Sequence, residues 1–146
     1  MTAPHAPTRE RTPIALWNPN AAANWSLLFS PIFGSYLHML NWRSLGESER
    51  AAASQKWFYA GVGLVVLSLL VGFSSDTDFA RALGGIFLLS WYFVSARGQA
   101  AYVKDKFGTA YVHRRWGKPL GVAAGVLVGV YVIAITLGLI LLGVKR

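Results

Sequence analysis

A chain of 146 residues makes one domain, and this one is 54% hydrophobic with only 14% charged residues, against about 25% charged in soluble proteins; its mean hydropathy is +0.42. The formal net charge of +8 would suit nucleic acid, but the basic residues border apolar stretches, as in cytoplasmic membrane loops, and no nucleic-acid reading element is present. The absence of cysteine excludes disulfides, thiolate metal sites and cysteine nucleophiles.

Residues 1–20 carry four prolines and no apolar periodicity, which predicts a disordered N-terminal tail. The apolar stretch that follows is broken by Asn24, Ser26, Ser30 and Pro31 and closes on no small-x-small site, so a signal peptide is not expected. Residues 21–43 are long enough to cross a membrane, yet contain Pro31, Gly34 and His38 as well. A helix breaker at membrane depth is tolerated only where protein or water satisfies the freed backbone. The segment is a kinked span, a re-entrant pair of half-helices or an interfacial element.

Ser44-Leu45-Gly46-Glu47 has the S-x-x-E spacing of a capping box. The helix it opens runs through a polar stretch into the apolar residues 57–73, the first expected transmembrane segment. Asp76 and Asp78 supply capping oxygens in a tight turn, and the second segment follows over 79–96 as an antiparallel partner. Phe93, Ala96, Ala100, Val103 and Phe107 keep three-and-four spacing, so this helix is predicted to extend to about residue 107, where Gly108 offers a stop. Residues 97–119 form a basic loop. Residues 120–144 are 25 without a charge, more than the roughly 20 needed to cross a 30 Å hydrocarbon layer, with Pro119 suited to the first turn.

Charge sets the expected orientation. With three spans, the side holding residues 1–56 and 97–119 carries eleven Lys and Arg, and the other side three. The positive-inside rule then puts the N-terminus in the cytoplasm and the C-terminus in the periplasm. A fourth crossing at 21–40 weakens the split to nine against five, so charge favours a segment that does not cross. Trp42, Trp57, Trp91, Tyr59, Tyr92 and Trp116 all fall at the cytoplasmic ends of their segments, and Trp42, Trp57 and Trp91 are expected as interface anchors.

Gly121, Gly125 and Gly129 put three side-chain-free positions on one helix face. Such a seam serves a second copy or the chain's own first span, where Gly61, Ser68 and Gly72 share a face; the latter is favoured, since a chain packs against itself first. Lys104, Lys106, Arg114, Arg115 and Lys118, with Trp116 among them, form a basic surface whose plainest role is to set topology. Its alternative is capture of membrane lipids or a partner, at about 1 kcal/mol per cation near an anionic leaflet. His5, His38 and His113 have no acidic residue at ligand spacing, and no G-x-S-x-G, P-loop or H-E-x-x-H occurs. No metal, cofactor or catalytic residue is expected. No Asp or Glu lies inside the three spans, which counts against proton-coupled transport.

Asn24-Trp25, Phe29, Pro31, Tyr36 and Asn41-Trp42, with Tyr102-Val103-Lys104, Phe107-Gly108, Tyr111, Arg114-Arg115-Trp116 and Lys118-Pro119, resemble the blocks of small bacterial inner-membrane proteins classed as domains of unknown function. The resemblance implies a bacterial inner membrane. Together these readings predict an all-α integral membrane protein of three transmembrane helices plus a Pro-broken re-entrant or interfacial segment over 21–43. Its expected role is non-enzymatic binding, as an accessory or regulatory subunit or an immunity-type protein. The alternatives are a small homo-oligomeric pore or transporter and, last, a lipid-acting enzyme using His38.

Overall fold

The computed structural model describes residues 13–72 and 77–144. Nearly all of them are helical: α1 (Pro19–Phe29), α2 (Pro31–Ser44), α3 (Ser48–Gly72), α4 (Thr77–Trp91), a π-helical turn (Tyr92–Ala96), α5 (Arg97–Phe107) and α6 (Gly117–Val144). Two short strands, β1 (Ala15–Leu16) and β2 (Val112–His113), pair in parallel, Ala15 opposite Val112 and Leu16 opposite His113. The expected disordered tail over 1–20 is therefore corrected from Pro13 onward, and residues 1–12 lie outside the described ones. Asn18 and Pro19 explain the order. The Asn18 side chain accepts from the backbone N–H groups of Asn20 and Ala21 at 3.0 and 3.3 Å, and Pro19 stands in the first turn, where an N–H is not needed.

The segment 21–43 is a helical hairpin. Ser30 carries a φ of 83° and separates α1 from α2, which begins at Pro31. That conformation costs a residue with a Cβ roughly 1–3 kcal/mol. The two ends of the hairpin return to one place, since His38 lies at hydrogen-bond distance from the Pro19 carbonyl and Asn41 holds the backbone of Trp17. Ala22, Phe33 and Leu37 make the interior of the hairpin. Its tip exposes Leu27 and Leu28, about 70% each.

The expected capping box is replaced by a different stop. Leu45 caps α2, the N–H of Gly46 bonds the Arg43 carbonyl at 3.1 Å and the N–H of Glu47 bonds the Trp42 carbonyl at 3.0 Å. This is a Schellman end, with Gly46 at φ 76°. Ser44 bonds back to the Leu40 carbonyl, and Glu47 is left free to turn its carboxylate elsewhere.

From Thr77 the chain stays helical to Phe107, and the residues that face the interior are Trp91, Ala96, Gln99 and Val103. The first step is five residues, the spacing of a π turn, and the next are three and four. The predicted stripe is corrected accordingly: Phe93 is exposed and Gln99 is buried, because one extra residue in the turn rotates everything after it.

Among the described residues, one helix rather than three is long and apolar enough to cross a membrane: Gly117–Ile140, with mean hydropathy 2.4. In α3 the apolar part begins only at Trp57, and α4 has 15 residues before the π turn. Trp57 of α3 meets Phe87 of α4, and Gly61 lies beside the same ring. The turn at 73–76, with Asp76, lies outside the described residues. α6 joins the rest through Trp116, Leu120 and Ala123, which pack against the hairpin core.

The closest approach is at Gly34, where an added Cβ would overlap Ser26 Oγ of α1 and the Trp91 ring. Gly34→Ala is expected to destabilise the protein by about 1–3 kcal/mol. Gly63→Ala, in open space, serves as control in thermal unfolding in mild detergent. Equal melting temperatures for the two variants would contradict this packing.

Candidate functional site

The polar end of the bundle collects the side chains that sequence reasoning assigned to function, together with several it did not. Asn41, fully buried on α2, accepts from the Trp17 N–H at 3.0 Å through Oδ1 and donates to the Trp17 carbonyl at 2.8 Å through Nδ2. The same Nδ2 reaches Gln99 Oε1 at 3.2 Å, and Gln99 Nε2 donates to the His38 carbonyl at 2.8 Å. Two amides thus join β1, α2 and α5. Buried polar groups must be paired, and Asn41 here pairs the backbone of Trp17, which lies outside any helix, while Gln99 satisfies its own amide on Asn41 and the His38 carbonyl.

A second cluster lies at the surface. The Arg50 guanidinium stands 4.9 Å from the Trp42 ring and 4.7 Å from the Tyr102 ring, and those rings meet edge-on at 5.0 Å. The Tyr102 hydroxyl donates to Glu47 Oε1 and accepts from Lys106 Nζ. That hydrogen bond holds the Lys106 ammonium above its usual value. Arg50 and Lys106 each come within 3.9 Å of the Glu47 carboxylate. Stacked cations on aromatic faces contribute about 0.5–1 kcal/mol each at exposed sites.

The expected basic surface is consequently divided. Lys106 belongs to the Glu47 cluster. Arg114 lies 4.6 Å from the Trp17 ring and donates to Ser44 Oγ at 3.1 Å, while the Arg115 carbonyl accepts from Trp17 Nε1 at 3.1 Å. Trp116 packs on the hairpin core. Lys104, Arg115 and Lys118 keep exposed side chains. Two of the expected interface anchors are corrected: Trp42 and Trp91 are buried in protein, because each ring fills a gap between helices. Trp57 is half-buried against Phe87.

The intrachain glycine seam is also corrected. Among the described residues, a Cβ added at Gly121, Gly125 or Gly129 would meet nothing within 4 Å, whereas one at Gly61 would meet Ile32 and Phe87 rather than α6. Ser68 is half-buried, and the surroundings of Gly72 lie outside the described residues.

His38 is fully buried, with its ring 5.5 Å from that of Trp91. The Pro19 carbonyl, 3.3 Å from Nε2, can only accept, so Nε2 carries the proton and Nδ1 is a bare acceptor. Among the described residues, His38 Nδ1, Trp91 Nε1 and Ser54 Oγ find no hydrogen-bond partner. Among the described residues no three His, Asp or Glu side chains lie close enough together to hold a metal ion.

Burial pushes the His38 imidazolium down to about 4, against a partial lift from the Pro19 carbonyl. The unfolded chain then binds the proton first as pH falls, so stability is constant above about 6.5 and declines until the folded-state value near 4 is passed. The loss over that window is about 3 kcal/mol. Chemical unfolding across pH in detergent measures it. His38→Gln is expected to remove this component, and an unchanged profile in that variant would assign the acid sensitivity elsewhere.

No family model, curated protein or solved structure matches this chain.

Proposed function

We propose that this chain is a multi-pass protein of a bacterial inner membrane that acts by binding, as an accessory or regulatory subunit or an immunity-type protein. The observation that carries the reading is the division of its surface. Val62, Val66 and Leu67 of α3, Phe79, Ile86 and Leu89 of α4, and the large side chains of α6 from Val122 to Ile140 are exposed. An apolar surface of that extent has no place in water. The paired amides and the cations gather at the opposite end.

In this reading α3 and α4, although their apolar stretches are shorter than that of α6, cross beside it on the strength of their exposed apolar side chains, and the α1–α2 hairpin enters from the cytoplasmic side. Ile32, near the hairpin tip, lies against Gly61, one helical turn past Trp57. With 11 residues in α1, or about 16 Å, the hairpin is too short to cross, and both its ends stay at the basic face. Recognition is favoured over catalysis because His38, the base a lipid-acting enzyme would use, is sealed from solvent.

The natural chain has no cysteine, so single replacements report cleanly. Ala110→Cys is expected to react with a membrane-impermeant maleimide only after inner-leaflet access is opened, and Gly143→Cys from the periplasm. A photo-cross-linker on Ala110→Cys should capture a distinct protein in native membranes. Recovery of the intact chain in the soluble fraction without detergent would sink the membrane assignment; an adduct-free Ala110→Cys would sink the subunit role.

A second reading, the homo-oligomer, is favoured by the open glycines of α6. Gly125→Cys is then expected to form a disulfide-linked dimer in oxidised membranes, while Val126→Cys, off the glycine face, remains monomeric. Equal yields from the two would exclude this seam.

A further inference from the structure

A cavity of about 360 Å³ opens at the polar end between the start of α1 and the connection from α5 to β2. Its polar lining comes from Asn18, Asn20, Lys104, Thr109, Tyr111 and His113. These residues are held in place by structure already described. Gly108, at φ 54°, ends α5 with its N–H on the Lys104 carbonyl at 3.0 Å. The parallel strand pair then fixes His113 beside the segment that leads into α1. The His113 ring stacks on Tyr111 at 4.5 Å.

Pro19, Ala100 and Val103 supply an apolar part of the wall, and the polar side chains set against it are one-sided in their chemistry. Asn18 Oδ1 is already occupied by two backbone N–H groups, which leaves its Nδ2 to donate. The Tyr111 phenol, raised above its ordinary value by burial, keeps its proton at neutral pH. Thr109 and the Asn20 amide add further donors, and Lys104 has no ion pair or hydrogen bond among the described residues. No carboxylate lines the cavity. A single cation among neutral donors, with no competing acid, suits a compact oxyanion, which accepts several charge-assisted hydrogen bonds at once. The volume lies at the low end of small-molecule sites, enough for a phosphate and the atoms it is esterified to.

We propose that this cavity binds a phosphate group, carried either by an anionic phospholipid headgroup or by free phosphate. The lipid source rests on the membrane reading above, since the cavity shares the basic end with Lys118 and the start of α6, where headgroups would lie. The phosphate chemistry itself does not.

The test titrates purified full-length protein in a neutral detergent with two probes, inorganic phosphate and short-chain phosphatidic acid, followed by calorimetry. Saturable binding of at least one probe is expected, and Lys104→Gln should weaken it about tenfold, the loss of one charge-assisted hydrogen bond. Lys118→Gln, which removes an exposed cation from the first turn of α6, outside the cavity, should change it less than twofold. Preference for phosphatidic acid assigns the lipid source, and equal or better binding of inorganic phosphate assigns the free anion. Both support the site. Absence of saturable binding to either probe overturns it, as does an equal loss in the two Lys variants, which would reduce the effect to net charge. Far-UV circular dichroism on each variant reports folding. A chain that proves soluble would remove the membrane reading while leaving the inorganic phosphate arm interpretable.

Discussion

The structure depends on how one buried amide is satisfied. Asn41 takes up both the N–H and the carbonyl of Trp17, and a stretch of chain read as tail becomes a strand with Leu16 fully buried. A backbone segment entering an apolar interior must find partners for every polar group it carries. Asn41 supplies them on one side and the Val112 and Arg114 N–H groups supply them on the other, bonding Ile14 and Leu16 at 3.0 and 2.8 Å. The hairpin, the loop before α6 and the end of α5 all assemble around that strand.

The π turn is the second half of the same solution. A continuous α-helix from Trp91 would turn Gln99 away from α2, removing the side-chain bonds it makes with Asn41 and the His38 carbonyl. The inserted residue brings the Gln99 amide back to face α2. A distortion of this kind costs helix geometry locally, and here it accompanies two buried hydrogen bonds of the Gln99 amide.

Much of the helical layout was legible from local punctuation. Pro31 marks the hairpin break, Gly108 the end of α5, and the uncharged run from Leu120 the long final helix. The placement of Gln99 was not legible, since periodicity assumes 3.6 residues per turn and the π turn breaks that count. The strand pair joins residues almost a hundred positions apart, and two-residue strands leave no alternating pattern to detect. The Asn18-Pro19 capping signal is present in the sequence but is masked by the prolines around it. Trp42 and Trp91 were placed at the headgroups because composition alone does not distinguish a ring that meets lipid from one that meets protein. At the candidate site, Lys104 was identified by charge, but the donors that surround it come from Asn18, Asn20, Thr109 and His113, scattered in sequence and gathered only by the fold.

α6 touches its neighbours mainly over its first two turns, through Trp116, Leu120 and Ala123, and no residue of Gly117–Ile140 is buried. Beyond that joint some twenty residues, roughly 30 Å, extend as a cantilever. In the membrane reading proposed above, its inclination would be governed by the thickness of the bilayer, through hydrophobic mismatch, more than by contacts within the chain. Because the hinge end of this lever rests on the α1–α2 hairpin, a thinner or thicker bilayer would load the hairpin directly.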